Sequence, residues 1–282
     1  GEEKPLQQLV VTHPERLVWP SLGLRKIDLV RYLEAVGEWL LPHLANRPLT
    51  LVRCPDGAEA KCFYQRHERG SKAYMRVATL EEVLRAAQNG AVEFHTWGAT
   101  HPDVKHPDRI TMDLDPGPGV SWKALVEATN LTRTLMEKLG LKCFLKTTGG
   151  KGLHVVAPLE PRLGWDAVKQ FTKEIAEFLV RARPDLFVAN MAKSKRGGKV
   201  FVDYLRNGET ASAVAAYSPR ARKEAGVSTP VSWDELGKKD IREKFTVKSV
   251  PRRLKRLRAD PWKDYATTRQ SITAAMKKAL KS

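Results

Sequence analysis

The 282-residue sequence is short of several things, and each shortage excludes something. No run of about 18 apolar residues occurs, which excludes a membrane-spanning helix. The opening Gly1-Glu2-Glu3-Lys4 leads into no apolar stretch, so it is not a signal peptide. An initiator Met is missing as well. The chain therefore reads as a piece of something longer, with residues 1–12 expected to be a linker or remnant. Cysteine is scarce. Cys54, Cys62 and Cys143 are too few and too unevenly spaced for a disulfide framework, and no C-x-x-C pair offers a structural zinc site. A reducing, cytoplasmic setting is the expectation. Internal repeats and low-complexity segments are also lacking.

Acidic residues are in deficit. Asp+Glu number 32 against 49 Lys+Arg, a formal charge of +17 on a chain that is 42% hydrophobic. That composition describes an ordinary globule with a preference for polyanions. The surplus is uneven: Leu236–Ser282 holds fifteen Lys/Arg and four Asp/Glu. Charge alone gives salt-sensitive, sequence-blind binding to nucleic acid and does not separate an enzyme from a binding module.

Periodicity supplies the elements. Ile27, Val30, Leu33, Val36 and Leu40 predict a helix over Ile27–Leu41, ended by Pro42. Strands are expected at Pro48–Arg53, Ala60–Gln65 and Ala91–Thr96, with a helix over Leu80–Asn89. Further on, strand Arg109–Leu114 is followed by a helix from Ser121 to about Leu139. Strands Leu141–Thr147 and Leu153–Ala157 flank a glycine turn, helix Trp165–Arg181 follows, and strand Lys199–Leu205 closes the series. The order is β-α-β-β-α-β, a ferredoxin-like core. From Ser232, with Glu235 forming a capping box, the remainder reads as helical and basic.

Two features carry chemistry. Asp113 and Asp115 are two apart on a strand, so both side chains share one face, opposite Ile110, Met112 and Leu114. Paired carboxylates repel unless solvent or a cation separates them, and oxygen donors suit hard divalent ions. A D-x-D pair also opens the haloacid-dehalogenase phosphatase signature, but there it lies near the N-terminus and continues Gly-Thr or Gly-Val, whereas here Pro116-Gly117 follows. Asp203 ends the last strand of the core, which packs beside the first. The second feature is Lys146-Thr147-Thr148-Gly149-Gly150-Lys151-Gly152-Leu153-His154. Its glycines allow backbone N–H groups to turn inward as an anion nest, although it is not a G-x-x-x-x-G-K-[ST] loop.

Met112-Asp113-Leu114-Asp115-Pro116-Gly117, the glycine stretch, and Phe201-Val202-Asp203-Tyr204-Leu205-Arg206-Asn207 together resemble the three motifs of the polymerase domain of bacterial DNA ligase D, in the archaeo-eukaryotic primase superfamily. The resemblance runs from His13-Pro14-Glu15-Arg16 to Ser228-Thr229-Pro230-Val231-Ser232-Trp233. It implies an α+β, primase-like fold. The catalytic core is ferredoxin/RRM-like, over about 96–282, and a smaller N-terminal α/β subdomain covers about 13–95. It also implies templated and non-templated addition of ribo- or deoxyribonucleotides to DNA 3′ ends during non-homologous end joining in the bacterial nucleoid. Manganese is preferred to magnesium, two ions are used, and nucleoside triphosphates are the substrates. The implied partners are gapped or broken DNA, the end-binding protein Ku, and covalently linked ligase and phosphoesterase domains. No K-x-D-G ligase nucleophile is present in this chain.

Carried over by motif, Asp113, Asp115 and Asp203 are the metal-holding catalytic acids. His95, Thr148, Lys151, His154, Arg196, Arg206 and Arg220 are expected around the nucleotide. Arg16 and Lys26 match a 5′-phosphate grip on DNA, Phe63 and Tyr64 an aromatic pair that stacks on template bases, and Arg53 belongs to the same DNA-binding set. Thr148 stands where Ser is usual, and Arg16 and Tyr64 replace a common Lys and Phe. A DNA-tethering module without catalysis and a metal-dependent nuclease are the alternatives; the acid trio argues against the first and the phosphate-type loop against the second.

Overall fold

The computed structural model describes residues 9–237 and 239–282, so residues 1–8 of the expected linker lie outside the described residues. A short ribbon, β1 (Leu17–Trp19) and β2 (Leu24–Arg25), leads into helices α1 (Lys26–Ala35) and α2 (Gly37–Leu44). The single helix expected over Ile27–Leu41 is thus two. The backbone leaves helical geometry at Val36 (φ −98°, ψ 3°), and Pro42 sits inside α2 rather than ending it. A proline there forfeits one backbone bond, and the buried Leu40 and Leu44 keep the turn in place against the core.

Next come β3 (Leu49–Arg53), β4 (Phe63–Gln65), α3 (Leu80–Gln88) and β5 (Ala91–Thr96). Thr79 caps α3 by accepting the Glu82 amide. The ferredoxin-like series is β6 (Arg109–Pro116), α4 (Trp122–Leu139), β7 (Phe144–Thr147), β8 (Leu153–Pro158), α5 (Trp165–Ala182), β9 (Phe187–Val188) and β10 (Val200–Asp203). Ser121 accepts the Ala124 amide to start α4, and Gly140, left-handed at φ 102°, stops it. Short strands β11 (Ala213–Val214) and β12 (Pro230–Val231) follow, then the helices α6 (Val250–Arg256) and α7 (Ala274–Ala279).

Two larger sheets result, ordered β12-β7-β8-β6-β10-β9 and β11-β5-β3-β4. In the first, the four strands β7-β8-β6-β10 are antiparallel, the ferredoxin-like arrangement expected from the element order. One face is apolar: Leu145, Val155, Met112, Leu114 and Val202 are completely buried, and α4 and α5 pack on β6. The other face carries Lys146, His154, Asp113 and Asp203, beside the apolar Phe144, Val156 and Phe201. One large apolar core cluster extends from Val18 to Leu280, with two small ones beside it, around Trp97 with Trp165 and around Phe144 with Trp262.

Two further expectations need correction. The basic C-terminal part is mostly turns, and the Ser232–Glu235 capping box opens only one 3₁₀ turn, Trp233–Glu235. The Glu235 carboxylate that would support a helix start is also paired with Arg253 at 2.5 Å. The cysteines do not all remain apart: Cys54 and Cys62 form a disulfide, while Cys143 is free and buried. The reason is local. β3 and β4 are paired with Arg53 opposite Phe63, so Cys54 after the one and Cys62 before the other face each other where the connecting loop leaves the hairpin. No helix among the described residues is long and apolar enough to cross a membrane.

Candidate active site

Strand register assembles the site. Asp203 on β10 lies directly opposite Asp113 on β6, Asp113 opposite His154 on β8, and His154 opposite Lys146 on β7. Four polar side chains therefore form a row across four neighbouring strands, which at about 4.8 Å per strand spans roughly 15 Å. Asp115 lies two residues from Asp113 on the same face, opposite Phe201. β6 runs on to Pro116, two residues beyond its expected end, so both acids belong to the strand. The glycine turn closes over this end. A Cβ on Gly152 would stand 2.8 Å from Asp115 Oδ1 and from the Leu114 carbonyl, so no larger residue permits this approach. Gly149 takes φ +76°, a left-handed conformation that side chains resist.

Arg206 is aimed at the acids by its neighbour. Asn207 donates to the Thr111 carbonyl and accepts the Thr111 amide, each at 2.8 Å, and so ties the turn after β10 to β6. Arg206 Nε then stands 3.5 Å from both Asp113 Oδ2 and Asp203 Oδ2. His154 Nε2 lies 3.3 Å from Asp113 Oδ1, yet that oxygen has no hydrogen bond and is fully buried.

The electrostatics are those of crowded acids. Burial raises the Asp113 carboxyl despite the opposing charges of Arg206, Lys146 and Arg220. Burial, then Asp113 and Asp203, push Asp115 up to about 6. Asp203 is raised by burial as well, against Arg206. Burial holds His154 and Lys146 well below their ordinary values, with neighbouring cations acting in the same direction. Among the described residues, no three His, Cys, Asp or Glu side chains already form a closed metal-ligand cluster. The donor set nevertheless suits a hard divalent ion: three oxygen acids on one face, one buried oxygen unpartnered, and a guanidinium standing as counter-charge between two of them.

The family model for the LigD primase-polymerase domain matches residues 25–262. The chain belongs to that family. It is 42% identical to the multifunctional non-homologous end joining protein LigD of Pseudomonas aeruginosa over 96% of its own length and 34% of the relative's. The corresponding protein of Mycolicibacterium smegmatis is 31% identical over 84% of this chain and 33% of that one. The chain thus spans about a third of the length of these curated relatives. Among solved structures, the polymerase domain from Mycobacterium tuberculosis ligase D in complex with DNA superposes with a TM-score of 0.84 at 28% identity, covering 93% of this chain and 99% of that one. The fold is that of the LigD polymerase domain.

The remaining residues expected around the nucleotide are spread unequally. Arg220 reaches the glycine turn, donating from Nη1 to the Thr148 carbonyl at 2.6 Å. His95 on β5 is partly buried, and desolvation, with Arg220 and Arg206 behind it, lowers its basicity against the pull of Glu93. Arg196 stacks 4.0 Å from the Phe201 ring centroid, and its charge is felt by Asp115 and Asp203. The Thr148 hydroxyl is committed within the turn, donating to the Gly152 carbonyl and accepting the Gly150 amide. Lys151 lies outside the acid row, in a groove of about 610 Å³ with Arg222 and Arg242.

Arg16 and Lys26 do meet. They line a cavity of about 230 Å³ together with Val18, Cys54 and Gly90, and Arg16 adds to burial in lowering the Lys26 ammonium. Arg53 donates to the Asn89 carbonyl and lies 5.6 Å from the Phe63 ring centroid. Phe63 and Tyr64 are 47% and 69% exposed on an edge strand. Successive strand residues point to opposite faces, so the two rings offer separate stacking surfaces rather than one platform.

Sequence reading missed Lys146 and Glu93 as parts of the site. Lys146 shares its face with His154 by strand alternation, and its ammonium donates to the Val214 carbonyl and Ser228 Oγ, at 2.9 and 2.6 Å. The available signal was a lysine inside an apolar strand. For Glu93 the signal was its i, i+2 spacing to His95, which puts both on one face of β5.

Proposed function

We propose that this chain is a metal-dependent nucleotidyltransferase that adds ribo- or deoxyribonucleotides to DNA 3′ ends, filling gaps and extending ends in non-homologous end joining. The observation that carries the reading is the acid row: Asp113 and Asp203 face each other on paired strands, and Asp115 shares their face. Asp113, Asp115 and Asp203 hold two divalent cations, manganese in preference to magnesium. Bound there, the ions supply charge neutralisation for the triphosphate and a lowered pKa for the primer 3′-hydroxyl.

The chain's own groups do the rest. Arg206, with 43% of its side chain open to solvent, turns from the acids to the triphosphate. Neutral His154 stands 3.3 Å from Asp113 Oδ1 on its buried side, and Arg196 counters charge near Asp115 and Asp203. Thr148 fixes the turn while Lys151 supplies a mobile charge on its outside. His95 on the second sheet and Arg220 on the loop after β11 border the nucleotide. Arg16 and Lys26 take a 5′-phosphate of the downstream strand. Arg53, Phe63 and Tyr64 meet unpaired template bases. Ku and linked ligase and phosphoesterase domains are the partners, at DNA ends in the bacterial cytoplasm.

Primer extension with manganese and ribonucleoside triphosphates tests the reading. Replacing Asp113 and Asp115 together by Ala is expected to abolish extension and leave DNA binding in place. Extension retained by that double variant would reject the assignment of the acids.

A further inference from the structure

Glu93 is a buried acid on β5, and its carboxylate is divided among three partners. Oε1 accepts from His95 Nε2 at 2.8 Å and stands 3.2 Å from Arg220 Nε. Oε2 accepts the Ala221 amide at 2.6 Å. Arg220 in turn donates to the Thr148 carbonyl of the glycine turn. One side chain on β5 therefore connects a histidine of its own strand, an arginine of a distant loop, and the turn that closes over Asp115.

We infer that Glu93 is a positioning residue: its carboxylate selects the His95 tautomer protonated at Nε2 and aims Arg220 at the glycine turn. The inference rests on the reading above, in which His95 and Arg220 border the nucleotide. The chemistry is specific to a carboxylate. A neutral imidazole has one N–H, and an acceptor fixed beside Nε2 draws the proton there, leaving Nδ1 as the acceptor for any ligand hydroxyl or amine. Arginine needs a counter-charge when its side chain is only 15% exposed, and Glu93 is the acid within reach. The Ala221 amide occupies the second oxygen. A carboxamide has one oxygen and one NH₂: with its oxygen on the Ala221 amide it offers the ring an NH₂, which fits only the opposite tautomer, and in neither orientation does it give Arg220 a counter-charge. Burial alone would raise the Glu93 carboxyl. The His95 hydrogen bond, the Arg220 charge and the Ala221 amide reverse this and hold it down at about 2.

The test combines imidazole nitrogen NMR with ATP titration of the whole chain in the presence of manganese. His95 resonances are assigned by their loss in His95→Ala. In the unsubstituted protein the His95 ring is expected to show a protonated Nε2 and a pyridine-type Nδ1. In Glu93→Gln that preference is expected to become mixed, and ATP affinity to fall about tenfold, the usual worth of a charge-assisted hydrogen bond, with the thermal midpoint little changed. A ring protonated at Nδ1 in the unsubstituted protein overturns the inference whether or not any variant folds. Unaltered ATP affinity in a folded Glu93→Gln also overturns it. The site reading fails separately: it falls if His95→Ala and Arg220→Ala both bind ATP as the unsubstituted protein does, whatever the ring nitrogens report.

Discussion

Asp115 is predicted to reduce stability when no cation is bound. Its carboxyl is raised from 3.8 to about 6, first by burial and then by Asp113 and Asp203. The native chain therefore holds this proton more tightly than the unfolded chain does. The stability that comes with it is complete below pH 3.8 and is lost as pH climbs through about 6. A rise of two units is worth about 3 kcal/mol, and partial solvent screening of a half-buried group reduces this to about 1–3 kcal/mol. Asp115→Asn removes the charge and keeps the shape. In a chelator near neutral pH, urea unfolding is expected to show the variant more stable by that amount, or by about 2–4 °C per kcal/mol in a thermal scan of a chain this size. At about pH 4.5 the gain falls to about a third, because the native Asp115 is then already protonated. Added manganese reverses the order, since a ligand that binds only the native state stabilises the protein with the better site. A variant no more stable than its parent at neutral pH in chelator would refute the reasoning.

Arg206→Ala is expected to bind manganese alone more tightly by calorimetry and ATP more weakly, because the guanidinium now shares two of the acids a cation would use. Arg16→Ala and Lys26→Ala should each erase the preference for a gapped duplex whose downstream strand carries a 5′-phosphate over one with a 5′-hydroxyl, measured by competition binding at fixed salt. Gly152→Ala puts a methyl 2.8 Å from Asp115 Oδ1 and the Leu114 carbonyl. It should cost about 1–3 kcal/mol in urea unfolding, as overpacking does, and should depress primer extension with it.

The acids were legible because the pattern that marks them is short-range. A strand has period two, so Asp113 and Asp115 had to share a face once Ile110, Met112 and Leu114 were assigned to the core. The caps of α4 were legible for the same reason: Ser121 and Gly140 act within one turn of their own positions. The helix break at Val36 was not, since Leu40 and Leu44 keep the apolar spacing going while their packing redirects the axis.

Pairing and burial were decided elsewhere. The sequence by itself determined which residue types sit on which face of each strand, because alternation is a property of the extended backbone. Only the tertiary structure decided that Asp203 stands opposite Asp113, that Lys146 completes their row, that Cys54 meets Cys62, and that Glu93 reaches Arg220. Register and loop closure join residues far apart in the chain, with Glu93 and Ala221 separated by 128 positions. No local spacing rule encodes such a distance; it follows from how the two sheets bury their apolar faces in one core.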